Sequence, residues 1–181
     1  PIVYAGAFEQ GYNPATVLYD VKTKVGVNEP QNFDGQFLGL MTIREALGAS
    51  RNIPAAKAFF LAGGEEKVLH LASSLGATTP LTKRDELNAQ REGGFGYGWP
   101  LALGAAETPL LEMVSAYSSL ADGGQFKPSI SIRRITDKNG NLLFEAELEP
   151  VGTSVIDERI AYQVTSVLSD ESVRPDAYWR S

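Results

Sequence analysis

Between Thr42 and Pro54 the sequence Thr-Ile-Arg-Glu-Ala-Leu-Gly-Ala-Ser-Arg-Asn-Ile-Pro leaves the backbone little choice. Thr42 followed three residues later by Glu45 is a capping-box pattern, in which each side chain satisfies a backbone N–H of the other residue, so a helix starts there. Gly48 is placed to end it after two turns. Pro54 fits the first turn of a second helix, where a missing N–H costs no hydrogen bond. Ser50, Arg51 and Asn52 are therefore confined to a tight connection between two helices. Side chains at i and i+2 of such a connection project together from a held backbone, making Ser50 a candidate proton carrier and Asn52 a candidate amide donor in a cleft. Ser and Asn also cap helices and fill turns more often than other residues do, so the competing reading is Asn52 as a plain cap of the following helix.

The rest of the chain excludes several functions. At 181 residues and 43% hydrophobic, it is long enough to bury one sizeable core and reads as one domain. A net charge of -6 with scattered Lys and Arg argues against a nucleic-acid surface. His70 is the only histidine and there is no cysteine, which excludes a zinc site or a Ser-His-Asp triad confined to this chain. His70 also falls at the margin of its helix's apolar face and is expected in solvent. The glycine-rich run Gly93-Gly94-Phe95-Gly96-Tyr97-Gly98 fits neither phosphate-binding spacing and is expected to be a structural loop. No stretch approaches 18 consecutive apolar residues, and the chain opens on Pro rather than on Met with a basic and apolar leader. Neither a membrane span nor a signal peptide is expected in it, and it reads as internal to a longer chain.

Along the chain, residues 2–10 read as a helix stopped by Gly11, and Thr16–Val21 with Lys22–Val27 as short extended segments. Helices are expected from Ala55 to the Gly63-Gly64 pair and from Glu65-Glu66 to Gly76. Residues 77–92 are polar, expected as loop or short helix. Thr108 as N-cap with Pro109 at the first position starts a helix whose stripe Leu110, Met113, Val114, Tyr117 and Leu120 is expected to face the core. Ile130 and Ile132, the turn Asp137–Asn141 and Leu142–Phe144 suggest a β-hairpin, and Asp157 caps a last helix carrying Ile160, Val164, Val167 and Leu168.

Two stretches carry a family resemblance. The run Pro30-x-Asn32-Phe33-Asp34-Gly35 through Thr42-Ile43-Arg44-Glu45-Ala46-Leu47 to Ser50-Arg51-Asn52-Ile53-Pro54 resembles the transpeptidase domain of class A penicillin-binding proteins. So does Leu101-Ala102-Leu103-Gly104 with Glu107, Leu111-Glu112-Met113 and Ala116-Tyr117. Three motifs mark that group: S-x-x-K, S-x-N and K-T-G. Only the second is complete here, as Ser50-Arg51-Asn52. The opening Pro1-Ile2-Val3-Tyr4 is similar to the segment that comes after the nucleophile motif, so the resemblance implies that residues 1–181 run from just after S-x-x-K to before K-T-G.

The resemblance implies an α+β fold, mostly helical over this stretch, from an α/β parent whose active-site sheet lies largely outside it. The implied activity is that of a serine D,D-transpeptidase, which cross-links peptidoglycan stems ending in D-alanyl-D-alanine and is acylated by β-lactams. It needs no metal and no organic cofactor. Ser50 would be the catalytic proton shuttle and Asn52 the substrate-binding donor to a peptide carbonyl. The implied setting is the bacterial cell envelope, on the extracytoplasmic face of the inner membrane, with a glycosyltransferase domain and a membrane anchor upstream. A β-lactam sensor domain and a catalytically inactive homologue acting as scaffold are the alternatives.

Overall fold

The computed structural model describes residues 1–146 and 151–175. Its centre is α1 (Ile2–Glu9), whose residues Val3 to Phe8 are all buried. A helix that is apolar all round has no solvent face to offer and must be enclosed, and α1 packs against α3 (Asn52–Leu61), α4 (Gly64–Leu75) and α7 (Glu158–Leu168). Small residues let the axes approach: a Cβ on Gly6 would lie 3.0 Å from the Cβ of Ala62.

β1 (Val17–Asp20) pairs antiparallel with β2 (Gly39–Thr42), Tyr19 opposite Leu40. The β2 strand runs directly into α2 (Ile43–Gly48) through Thr42. The capping box is present: the Thr42 Oγ1 accepts from the Glu45 N–H at 3.2 Å, and Glu45 Oε2 accepts from the Thr42 N–H at 2.6 Å. Gly48 is the last residue of its helix but is not what stops it. It keeps ordinary helical geometry, and a Cβ there would collide with a methyl of Val173, in the short 3-10 turn Glu171–Val173. The left-handed residue that turns the chain is Ser50.

Residues expected as loop or short helix form the three-turn α5 (Thr79–Gln90). Its N-terminus is held from another helix, since the N–H and hydroxyl of Thr79 both donate to the Glu112 carboxylate at 2.8 and 2.7 Å. The 3-10 turn Trp99–Leu103 then leads to α6 (Leu110–Ala121). The expected core stripe of α6 holds at Leu120, which is buried, and is corrected over the rest of the helix. Leu110, Val114 and Tyr117 are 80, 53 and 41% exposed, and beside Leu120 the helix buries the small residues Ala116 and Ser119. Close contact with the end of α4 selects that small face: the Ser119 hydroxyl donates to the Leu75 carbonyl at 2.9 Å, and a Cβ on Gly76 would lie 2.5 Å from Ser115 Oγ. The N-cap of α6 is Pro109 rather than Thr108, whose hydroxyl donates to the Ala106 carbonyl.

The remaining strands are short: β3 (Gln125–Phe126) pairs with β6 (Thr153–Ser154), and β4 (Arg134–Thr136) with β5 (Leu142–Glu145). The latter is the expected hairpin with its first strand later than Ile130–Ile132, closed by Asp137, whose Oδ1 accepts from the N–H groups of Asn139 and Asn141. Asp157 caps α7 through the Arg159 N–H. The architecture is α+β and mostly helical, with three separate two-stranded antiparallel ribbons among the described residues.

The Gly48 contact generates a prediction. Gly48→Ala should lower stability by about 1–3 kcal/mol in denaturant melts, the usual penalty for overpacking, and Val173→Ala should recover part of it. A Gly48→Ala protein as stable as the parent would contradict the close packing of the 3-10 turn on α2.

Candidate functional site

The connection between α2 and α3 is a Schellman turn. The Ser50 N–H donates to the Leu47 carbonyl at 3.1 Å and the Arg51 N–H to the Ala46 carbonyl at 3.0 Å. The position between them requires a left-handed backbone, for which glycine is the usual occupant. Here it is Ser50, at φ +53°, which is the single non-glycine residue with positive φ among those described. An L-residue there carries about 1–2 kcal/mol of strain, and strain of this kind marks positions where a side chain is needed in a particular direction. Ser50 and Asn52 line a cleft of about 250 Å³ with Val3 and Tyr4 of α1 on one side and Ala102 and Leu103 of the 3-10 turn on another.

Arg51, between them, turns inward. Its guanidinium is 8% exposed and forks three ways: Nε to Asp20 Oδ2 at 2.9 Å, Nη1 to Asp34 Oδ2 at 2.8 Å and Nη2 to the Gln36 carbonyl at 2.5 Å. Asp20 is fully buried, and its Oδ2 also accepts from the Leu38 N–H. Burial opposes the charge on Arg51, but its hydrogen bonds to Asp34 and Asp20 outweigh it and hold the guanidinium above its ordinary range. The same Arg51 hydrogen bond holds the Asp34 carboxyl below the usual carboxylate range. Tyr4 lies buried on the cleft wall, its hydroxyl without a hydrogen-bond partner. Burial first, and then the charge of Asp20, pushes its phenol up, so it stays protonated.

Asn32 completes the arrangement. Its Nδ2 donates to Asp20 Oδ1 at 2.6 Å and to the Gln36 carbonyl at 2.8 Å, while its Oδ1 accepts from the N–H groups of Asn52 at 2.9 Å and Ile53 at 3.3 Å. The first N–H groups of α3 are therefore capped by a side chain twenty residues away in sequence. Asn52 is not the cap: it is the first helical residue, its side chain caps nothing, and its Nδ2 donates to the Gln31 carbonyl at 2.9 Å. An amide nitrogen has two hydrogens, so this contact fixes the orientation of the group and leaves its second donor available.

The other sequence features lie elsewhere. His70 is exposed and pairs with Glu66 across one helical turn at 2.8 Å. The glycine-rich loop gives its Gly98 N–H to the Glu65 carboxylate at 2.6 Å, so a carboxylate already occupies a donor that a phosphate would need. A second cavity of about 250 Å³, between α1, α4 and α6, has no charged side chain in its lining. Among the described residues no cluster of three His, Cys, Asp or Glu is placed to hold a metal ion, and no helix is long and apolar enough to cross a membrane. Sequence reasoning singled out Ser50 and Asn52 but not the roles of Asp20 and Asn32. One signal for Asp20 was present: it occupies an inward position of an alternating strand, where a charge is expected only with a partner.

A sequence profile of the penicillin binding protein transpeptidase domain matches residues 1–179. Penicillin-binding protein 2D of Bacillus subtilis is 28% identical over 176 residues, covering 93% of this chain and 23% of that protein. Penicillin-binding protein 1A of Neisseria meningitidis is 28% identical over 182 residues, covering 94% of this chain and 21% of that protein. The chain thus spans less than a quarter of the length of these relatives. Among solved structures, the penicillin-binding protein PonA1 from Mycobacterium tuberculosis superposes with a TM-score of 0.80 at 26% identity, over 92% of this chain and 44% of that one. The same PonA1 protein in complex with penicillin V gives a TM-score of 0.79 over the same shares. A strained serine beside an oriented amide, on a turn tied down by buried charges, thus sits in a chain that belongs to the penicillin-binding protein transpeptidase domain family.

Proposed function

We propose that this chain contributes the Ser50-Arg51-Asn52 wall of the active site of a peptidoglycan D,D-transpeptidase, the same site that β-lactams acylate. The observation that carries the reading is the geometry of one turn. Ser50 accepts backbone strain where glycine would have none, and its neighbour in the cleft, Asn52, holds an amide donor by one hydrogen. Residues 1–181 contain neither an S-x-x-K nor a K-T-G sequence; on this reading the nucleophile, its lysine and the third motif are supplied by parts of the protein outside this chain.

The chemistry follows from these roles. The nucleophile's oxygen attacks the carbonyl between the two D-alanines, and Ser50 relays the released proton between the lysine and the leaving D-alanine nitrogen. The C–N bond breaks, D-alanine departs as a neutral amine group, and an ester remains on the enzyme. Asn52 donates to a carbonyl of the bound peptide and fixes its register against the nucleophile. An amine of a second stem then attacks the ester carbonyl: an amide C–N bond forms, the ester C–O bond breaks, and the amine's proton returns to the serine oxygen by the same route. A β-lactam undergoes the first step only: attack on its strained ring amide breaks the ring C–N bond and leaves an ester whose leaving nitrogen is still attached to the adduct. The working site is the bacterial cell envelope, outside the inner membrane, with anchoring supplied by a part of the protein outside this chain.

Two substitutions in the full-length protein test the assignment. Ser50→Gly should raise stability, by up to about 1 kcal/mol, because glycine removes the left-handed strain. It should nonetheless slow acylation by labelled penicillin about 10²- to 10⁴-fold, the usual contribution of a positioned proton carrier. Near-normal acylation would make Ser50 a turn residue only. Asn52→Asp removes both donors and sets a carboxylate against the Gln31 carbonyl. Acylation should fall about 5- to 150-fold, the rate equivalent of a lost buried hydrogen bond of roughly 1–3 kcal/mol, and unchanged acylation would remove Asn52 from the site.

A further inference from the structure

We propose that Asn32 is a positioning residue for this site, acting on Asn52 from a separate strap of chain, and that Asp20 orients it. The inference rests on the reading of the Ser50–Asn52 turn as part of the catalytic cleft. Asn32 is 4% exposed, and its side-chain amide uses its full hydrogen-bonding capacity of two donors and two acceptor sites. The two acceptor contacts pin the start of α3 at Asn52 and Ile53. The two donor contacts pin the amide itself to Asp20 and to the Gln36 carbonyl, so it cannot rotate to present its nitrogen to the helix.

The residue before Asn32 supplies the second hold. Gln31 offers the carbonyl that receives the Asn52 Nδ2, so the backbone N–H and the side chain of Asn52 are both fixed by two consecutive residues of one strap. Asp20 is shared by Asn32 and Arg51, through Oδ1 and Oδ2 respectively. Arg51 stands between Ser50 and Asn52 in sequence, so the buried carboxylate ties the strap and the turn to one point on β1. A movement of Asn32 would therefore shift the Asn52 donor. A displacement on the order of 1 Å at a reacting centre can cost about 100-fold in rate.

A double-mutant cycle in the full-length protein separates positioning from mere support of the fold. Acylation by labelled penicillin and thermal melting are measured for the parent, Asn32→Ala, Asn52→Ala and the double variant. The expected result is that Asn32→Ala slows acylation about 10- to 100-fold in the parent but less than about 3-fold when Asn52 is already Ala, while it lowers the melting temperature in both backgrounds. Equal slowing in both backgrounds would overturn the proposal, because a residue that only stabilises the fold does not act through Asn52. Impaired acylation in Asn52→Ala with parent-like acylation in Asn32→Ala would overturn it while leaving the reading of the turn intact. Parent-like acylation in Asn52→Ala would overturn both. If Asn32→Ala does not fold, Asn32→Ser, which keeps a polar group but is too short to hold all four partners, carries the same cycle with the same expected and contradicting outcomes.

Discussion

The buried contact of Arg51 with Asp20 is the constraint on which the site depends. Removing two opposite charges from water is costly, and replacing such a pair by apolar residues of similar volume is often neutral or stabilising. The pair therefore adds little to the net stability of the fold. Its contribution is geometric: with one partner fully buried and the other forked to three acceptors, half-breaking the arrangement leaves a buried charge uncompensated, at a cost of about 3–5 kcal/mol. Arg51 has one position that meets all three contacts, and Ser50 and Asn52 are covalently attached to either side of it.

The wider fold braces the same turn from behind. Enclosed α1 forms one wall of the cleft through Val3 and Tyr4, and α3, which carries Asn52, packs along it. Helix α2, which ends in the strained turn, is held at its other face by Arg44. That guanidinium donates to the Ser166 carbonyl and hydroxyl of α7 and to Asp170 at 2.9–3.2 Å. Gly48 lets the 3-10 turn at Val173 sit directly on the same helix. The strain at Ser50 is small beside these contacts, which explains how a non-glycine residue persists in a left-handed turn.

Much of this was legible in the sequence where the determinant was local. The Thr42–Glu45 box, the Asp157 cap and the Asp137–Asn141 turn each rest on side chains within four residues, and each forms as its pattern implies. The places where sequence reasoning went astray share a different cause. Helix α5 has a weak apolar pattern and takes its cap from Glu112, thirty-three residues on. On α6, Leu120 is buried as expected, but Leu110, Val114 and Tyr117 stay exposed because close contact at Ser119 and Gly76 favours a small face over a large one. The competing reading of Asn52 as a cap fails for the same reason, since the cap comes from Asn32. The candidate pair Ser50 and Asn52 was visible from i, i+2 spacing on a constrained turn; the residues that aim them were not, since nothing local connects β1, the strap and the turn.

The central claim is that the turn is built before ligand arrives and receives it without rearranging. Its most direct test is a crystal structure of the full-length protein acylated by a β-lactam. In that structure Ser50 should keep its left-handed backbone and Asn32 its four hydrogen bonds, and the free hydrogen of Asn52 Nδ2 should reach a carbonyl of the adduct, with Ser50 Oγ beside the acylated oxygen. An adduct that lies away from Ser50 and Asn52, or a turn that unwinds to reach it, would contradict the claim.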